Sequence, residues 1–313
     1  MSNETSTAEV DEHSKLIIDP QAKKMRRHKT EGLAALIFLL AIGMLTVSGD
    51  FLGPAHASIF KYIEVYSSFL LLLVYIVPFI IFMRWLCRKY SIGELELMLA
   101  AFCGAIIPTP FAGTLNDDFT HGMSHLMGHY YHDAWMGSVE VGIVEELLKL
   151  GTTALILYVL GRRSLKNYLS IGMCVGMGFQ IEEDISYITQ SSFKHVNEAF
   201  PIAIDRIQGS LASHWSYAAL TAAGLYLIVT ARGDKKRRNR GIGLIVLVMA
   251  DHFLYDTPIG EINLFSALLS VAILVPLVLI FKSPEMSSED IGTNSGDVRS
   301  DRRGEAASGG SRV

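Results

Sequence analysis

Cysteine is scarce. Cys87, Cys103 and Cys174 are the only three in 313 residues, with no CxxC spacing and an odd count, which excludes both a disulfide framework and a cysteine zinc knuckle. Charge is also scarce: 19% of residues are Asp, Glu, Lys or Arg, below the quarter or so usual for a soluble domain. No internal repeat period is evident, and the loops are too short to hold a second folded domain. The net charge of -4 is uninformative about partners. Its basic runs read as topology signals or lipid-headgroup contacts rather than as a nucleic-acid surface.

What is present is apolar sequence in long blocks. Half of the residues are hydrophobic and the mean hydropathy is positive. Runs of about 17 to 25 residues, long enough to cross a bilayer, fall at 33–49, 65–83, 94–112, 137–160, 168–190, 207–231, 241–257 and 262–281. The expected fold is therefore all-α, a polytopic membrane protein with about eight transmembrane helices. Lys and Arg test that count, because cytoplasmic loops hold the excess of positive charge. Of the 27, all but Lys61, Lys194, Arg206 and the intramembrane Lys149 fall in alternate segments on one side. This places both termini in the cytoplasm and the protein in the cytoplasmic membrane. Residues 1–31 and 283–313 read as disordered cytoplasmic tails flanking one transmembrane domain, 32–282, whose motif-bearing core is 137–257. "GPAHAS" after the first run offers an Ala-x-Ala pattern, but the polar stretch before that run is long, so the first helix is expected to be retained.

Ionisable side chains in hydrocarbon cost several kcal/mol, about 3 on insertion scales, and mark cavities or partners. They concentrate in four consecutive runs: Glu145, Glu146 and Lys149; Glu182, Glu183 and Asp184; His214; and Asp251, His252 and Asp256. With the topology above, Glu145 and His214 lie about eight residues from the outer end, roughly 12 Å, and Glu183 and His252 about five to seven, roughly 7 to 11 Å. One depth on four helices is what a single polar site requires, and it predicts a four-helix core. Within the fourth run, Glu145 and Glu146 diverge by about 100°. Lys149 sits four residues after one and three after the other, so it can neutralise one carboxylate while the other serves chemistry. His252 and Asp256 share a helix face.

These residues resemble a known family. "EELLK" (Glu145 to Lys149), "FQIEE" (Phe179 to Glu183), the His214 helix ending in Gly224 and "HFLYD" (His252 to Asp256) are similar to the EExxK, FxxxE, His-helix and HxxxN/D motifs of the PrsW-type intramembrane proteases, relatives of the CAAX-prenyl-protease superfamily. The likeness covers residues 140–256. It implies an intramembrane endopeptidase acting on a membrane-anchored protein, with the site opening toward the extracytoplasmic side, Glu145 activating water and the later acidic and histidine positions completing the site. Asp256 stands where many superfamily members have Asn, and Glu182 is an extra carboxylate.

The chemistry agrees with these residue types. Peptide hydrolysis needs a base for water, a stabiliser for the oxyanion and a proton donor for the leaving amine. The expected catalytic set is Glu145, Glu146, Glu183, His214 and His252, supported by Lys149 and Asp256. Glu146 with Lys149 also reads as a structural ion pair. Glu183, His214 and His252 could hold zinc as an N/N/O set with an open fourth position; alternatively the histidines donate directly to the oxyanion, a glutamic-type mechanism. A second cluster, His121, His125, His129 and His132 with Asp117, Asp118 and Asp133, could bind Zn²⁺ or Cu²⁺, or be a solvated amphipathic segment. The alternative functions are a proton- or metal-coupled transporter, for which intramembrane His and Glu are also typical, and a non-proteolytic family member. Expected partners are the substrate and the lipid bilayer, not nucleic acid.

Overall fold

The computed structural model describes residues 20–51, 56–116, 135, 137–194 and 198–287. Among them every regular element is helical: α1 (Pro20–Phe51), α2 (Ile59–Phe69), α3 (Leu73–Tyr90), α4 (Glu94–Ile106), α5 (Gly137–Leu160), α6 (Leu165–Lys194), α7 (Ala199–Gly209), α8 (His214–Val229), α9 (Lys235–Tyr255) and α10 (Asn263–Phe281). A 3-10 turn at Leu70–Leu72 joins α2 to α3, so that 59–90 forms one rod. Beyond a turn at Ile107, helix resumes at Pro108, a residue suited to a first helical turn, and runs to Asn116. The all-α expectation is met.

Four helical stretches are long and apolar enough to cross a membrane by length and composition: Arg27–Val47, Ile59–Tyr90, Glu94–Asn116 and Asn263–Phe281. They form much of the periphery, presenting side chains such as Phe38, Leu45, Ile81, Val271 and Leu279 outward, as helices bathed in lipid must. The other four expected runs also lie on helices, but α5, α6, α8 and α9 fall short in length or apolarity because they carry the polar site. Two boundaries differ from expectation. Residues 20–31 continue α1 instead of belonging to a polar tail, helped by the i,i+4 pair Arg27–Glu31 at 2.9 Å. The sixth run, expected as one helix over 207–231, is broken: α7 ends at Gly209, Ser210–Ala212 make a 3-10 turn, Ser213 is non-helical and α8 starts at His214. Gly and Ser are poor helix interiors. Residues 283–287, also expected in a tail, are described too, with Pro284–Ser287 in a 3-10 turn and Met286 buried; residues 1–19 and 288–313, and the His121, His125, His129 and His132 cluster, lie outside the described residues.

The helix α6 is the centre. From Leu169 to Gln180 it is buried on every side, as an apolar-all-round core helix should be. Glycines let its neighbours reach backbone contact: a Cβ at Gly176 would strike the His214 carbonyl of α8, and one at Gly178 the Ala101 carbonyl of α4. On its far side α8 packs against α9, α9 against α5, and α5 against α6. Gly176→Ala is therefore expected to push α8 and its first residue, His214, off α6 and to destabilise the protein by about 1–3 kcal/mol. Thermal unfolding in detergent checks this, and an unchanged melting temperature would contradict the close approach.

Candidate active site

Lys149 is fully buried on α5, and its ammonium organises the centre of the bundle. Its Nζ lies 2.6 Å from Glu146 Oε1, 2.8 Å from His214 Nδ1 and 3.7 Å from Glu145 Oε2. Phe179 of α6 floors it, with the ammonium 4.4 Å from the ring centroid, and the same ring meets His214 edge to face at 4.9 Å. This explains the phenylalanine in "FQIEE": it packs against the cation and the imidazole together.

Each histidine is oriented by its polar partners. An ammonium only donates, so Nδ1 of His214 must accept from Lys149; the ring proton then sits on Nε2, 3.0 Å from Glu183 Oε2. Glu146 Oε1 takes the hydrogen bond of His252 Nδ1 at 3.0 Å. That leaves His252 Nε2 turned toward Glu145 Oε2 at 3.8 Å and Asp256 Oδ2 at 3.3 Å. A ring lone pair facing two carboxylate oxygens is repulsive unless a proton or a cation lies between them. The two imidazoles stand 5.2 Å apart, centroid to centroid.

Glu145 completes the group. Its Oε2 is buried with no hydrogen-bond partner, yet stands 3.7 Å from Lys149 Nζ, 3.8 Å from His252 Nε2 and 4.0 Å from His214 Nδ1. Glu145, His214 and His252 each offer a ligand atom, all within 4.8 Å of one another. An N/N/O donor set with an orphaned carboxylate oxygen fits a divalent metal of zinc's preferences. For His214, one ring nitrogen must be released by Lys149 or Glu183. The set differs from the sequence expectation, in which Glu183 was the carboxylate ligand beside the two histidines. Here Glu183 pairs with Arg206 and accepts from His214, while Glu145 is the carboxylate whose oxygen groups with both histidines. An extra cationic neighbour, unseen in the motif, binds the same Glu183 oxygen that meets His214.

The remaining expected residues separate by position. Asp256 caps α9, accepting Ser138 Oγ through its carbonyl at 3.0 Å, and its carboxylate borders the group. Glu182 is buried but does not line the cavity. Asp251 accepts from Tyr217 at 2.9 Å, a packing bond that fixes a ring lying 5.1 Å from His252. Sequence reasoning missed Tyr217, Tyr75 and Arg206. The last was assigned to an outer loop, and only its rarity as a cation on that side could have flagged it.

Glu145, Glu183, His214, His252 and Asp256 share the wall of a cavity of about 1020 Å³, whose lining also includes Asn116, Gln190 and Asp205. Its polar lining residues and its volume match a site that admits a peptide segment and water. A family description, PrsW family intramembrane metalloprotease, matches residues 94–281, more than half of the chain. The chain belongs to the PrsW family of intramembrane metalloproteases. Neither a curated protein nor a solved structure matches it. The PrsW match runs from the first residue of α4 to the last of α10, so it takes in every helix of the polar group. It makes this an integral membrane protein and supports protease activity over the transporter alternative.

Proposed function

We propose that this PrsW-family chain hydrolyses a peptide bond of a membrane-anchored protein at the cavity where α5, α6, α8 and α9 meet. The observation that carries the reading is the convergence of Glu145, His214 and His252, with donor atoms within 4.8 Å, on the wall of that cavity. Eight crossings with both termini in the cytoplasm, inferred from the Lys and Arg asymmetry, would open the site toward the extracytoplasmic side.

Glu145, His214 and His252 are the residues that would hold a metal ion, for which we propose zinc; bound there, it would polarise the scissile carbonyl and acidify water. The protein's own groups supply the rest. Glu145 presents its undonated Oε2 at the cavity wall: that oxygen would ligate the ion, and without an ion it is the base that takes a proton from the attacking water. Lys149 fixes Glu146, and Glu146 fixes His252, so the imidazole presents Nε2 to the reacting atoms. Asp256, beside that nitrogen and one-third exposed to the cavity side, relays protons toward the leaving amine. The apolar packing around Lys149 and Phe179 excludes bulk water, which strengthens each of these interactions.

The direct test is proteomics of membrane-protein fragments from cells carrying the wild-type chain or Glu145→Ala. Fragments cut near the outer end of a transmembrane segment should vanish in the variant. Identical fragment sets would refute the reading.

A further inference from the structure

Arg206 stands outside every sequence motif, on α7, a helix of 11 residues too short to span a bilayer. The helix is anchored by Ala199 and Ala203, buried against Val65, Leu72 and Ile188. One turn beyond Ala203, the guanidinium reaches back to α6. Its Nε donates to Asp184 Oδ1 and its Nη2 to Glu183 Oε2. The far oxygen of Asp184 is held by the Tyr75 hydroxyl of α3 at 2.8 Å, and Tyr187 stacks under the guanidinium at 4.6 Å. The oxygen of Glu183 that Arg206 grips is the one that hydrogen-bonds His214 Nε2 at 3.0 Å.

We propose that Arg206 is a positioning residue for the hydrolytic site: clamped by Asp184 and Tyr75, it aims Glu183 at His214 and so fixes that imidazole. Only a planar fork can serve both carboxylates along one edge, which a lysine ammonium cannot reproduce. Asp184 and Tyr75 touch no reacting group, and their place in the bundle is explained as the anchor of this fork. The chain of contacts Tyr75, Asp184, Arg206, Glu183, His214 and Lys149 ties the peripheral rod 59–90 to the centre of the site. For its kinetic consequence the inference rests on the proteolytic reading above; for its structural consequence it rests on side-chain geometry alone.

The test uses the full chain with a substrate parent identified by its fragments, and histidine-labelled protein whose His214 ring resonance is assigned by its loss in His214→Asn. Arg206→Met should lower kcat on the order of 10²-fold through displacement of His214, with KM within about twofold. Arg206→Lys should recover only part of the loss. In a Glu183→Gln background, Arg206→Met should add less than about a further twofold, because both act through one contact. The His214 resonance, narrow in the wild type, should broaden in Arg206→Met and stay narrow in Glu285→Gln, which breaks a remote pair with Arg237. Wild-type kcat, additive losses or an unchanged His214 signal in Arg206→Met would overturn the proposal. A wild type that cleaves nothing would sink the proteolytic reading instead, and the His214 signal would then decide the role of Arg206.

Discussion

Glu145→Gln is expected to lower cleavage on the order of 10²- to 10⁴-fold, the range for losing a positioned base, while leaving the protein folded and at normal abundance. The asymmetry follows from the site. The Oε2 of Glu145 makes no hydrogen bond, and its nearest cationic neighbour is 3.7 Å away, so the amide removes little that holds the fold. It removes the charge on which the attacking water depends. Initial rates on a purified substrate parent, with melting temperature measured on the same samples, test both halves. Full-rate cleavage by Glu145→Gln would transfer the base role to Glu183 or Glu146. A collapsed melting temperature would instead make Glu145 structural.

Lys149→Met should behave in the opposite way. Lys149 and Glu146 are both fully buried and 2.6 Å apart, and breaking a buried pair by removing one partner costs about 3–5 kcal/mol because the other charge is left uncompensated. The expected result is low abundance and a strongly depressed melting temperature, with activity lost for lack of folded protein. Adding Glu146→Gln should restore much of the stability, since the orphaned charge is then gone. It should not restore full activity, because His252 Nδ1 then lacks a carboxylate partner. A Lys149→Met protein as stable as wild type would contradict the ion-pair role.

Much of this was legible in the sequence. Charge in hydrocarbon is so costly that Glu145, Glu146, Lys149, Glu183, His214, His252 and Asp256 had to face one another, and i,i+3 spacing was enough to pair Lys149 with Glu146. The all-helical class followed from apolar length. Side-chain direction was less accessible. Spacing did not show that Glu145 is the carboxylate grouped with both histidines, nor that Glu183 meets Arg206, a contact between α7 and α6. The break at Ser213 was similarly hidden, because the Gly and Ser that weaken helix there sit at the start of a long apolar run. It brings His214 to the first turn of α8, where Gly176 admits its carbonyl against α6. Tyr217 and Tyr75 carry no charge to mark them, so their hydroxyl bonds to Asp251 and Asp184 surface only in three dimensions.

The measurement closest to the centre of this account is metal content of the purified chain, prepared without chelator, alongside Glu145→Ala, His214→Ala and His252→Ala. Stoichiometric zinc is expected in the wild type and absent from all three variants, with cleavage that stops on chelation and returns on adding zinc. Active, metal-free wild-type protein indifferent to chelators would contradict the metal centre, leaving Glu145 as the unaided base and the two histidines as oxyanion donors.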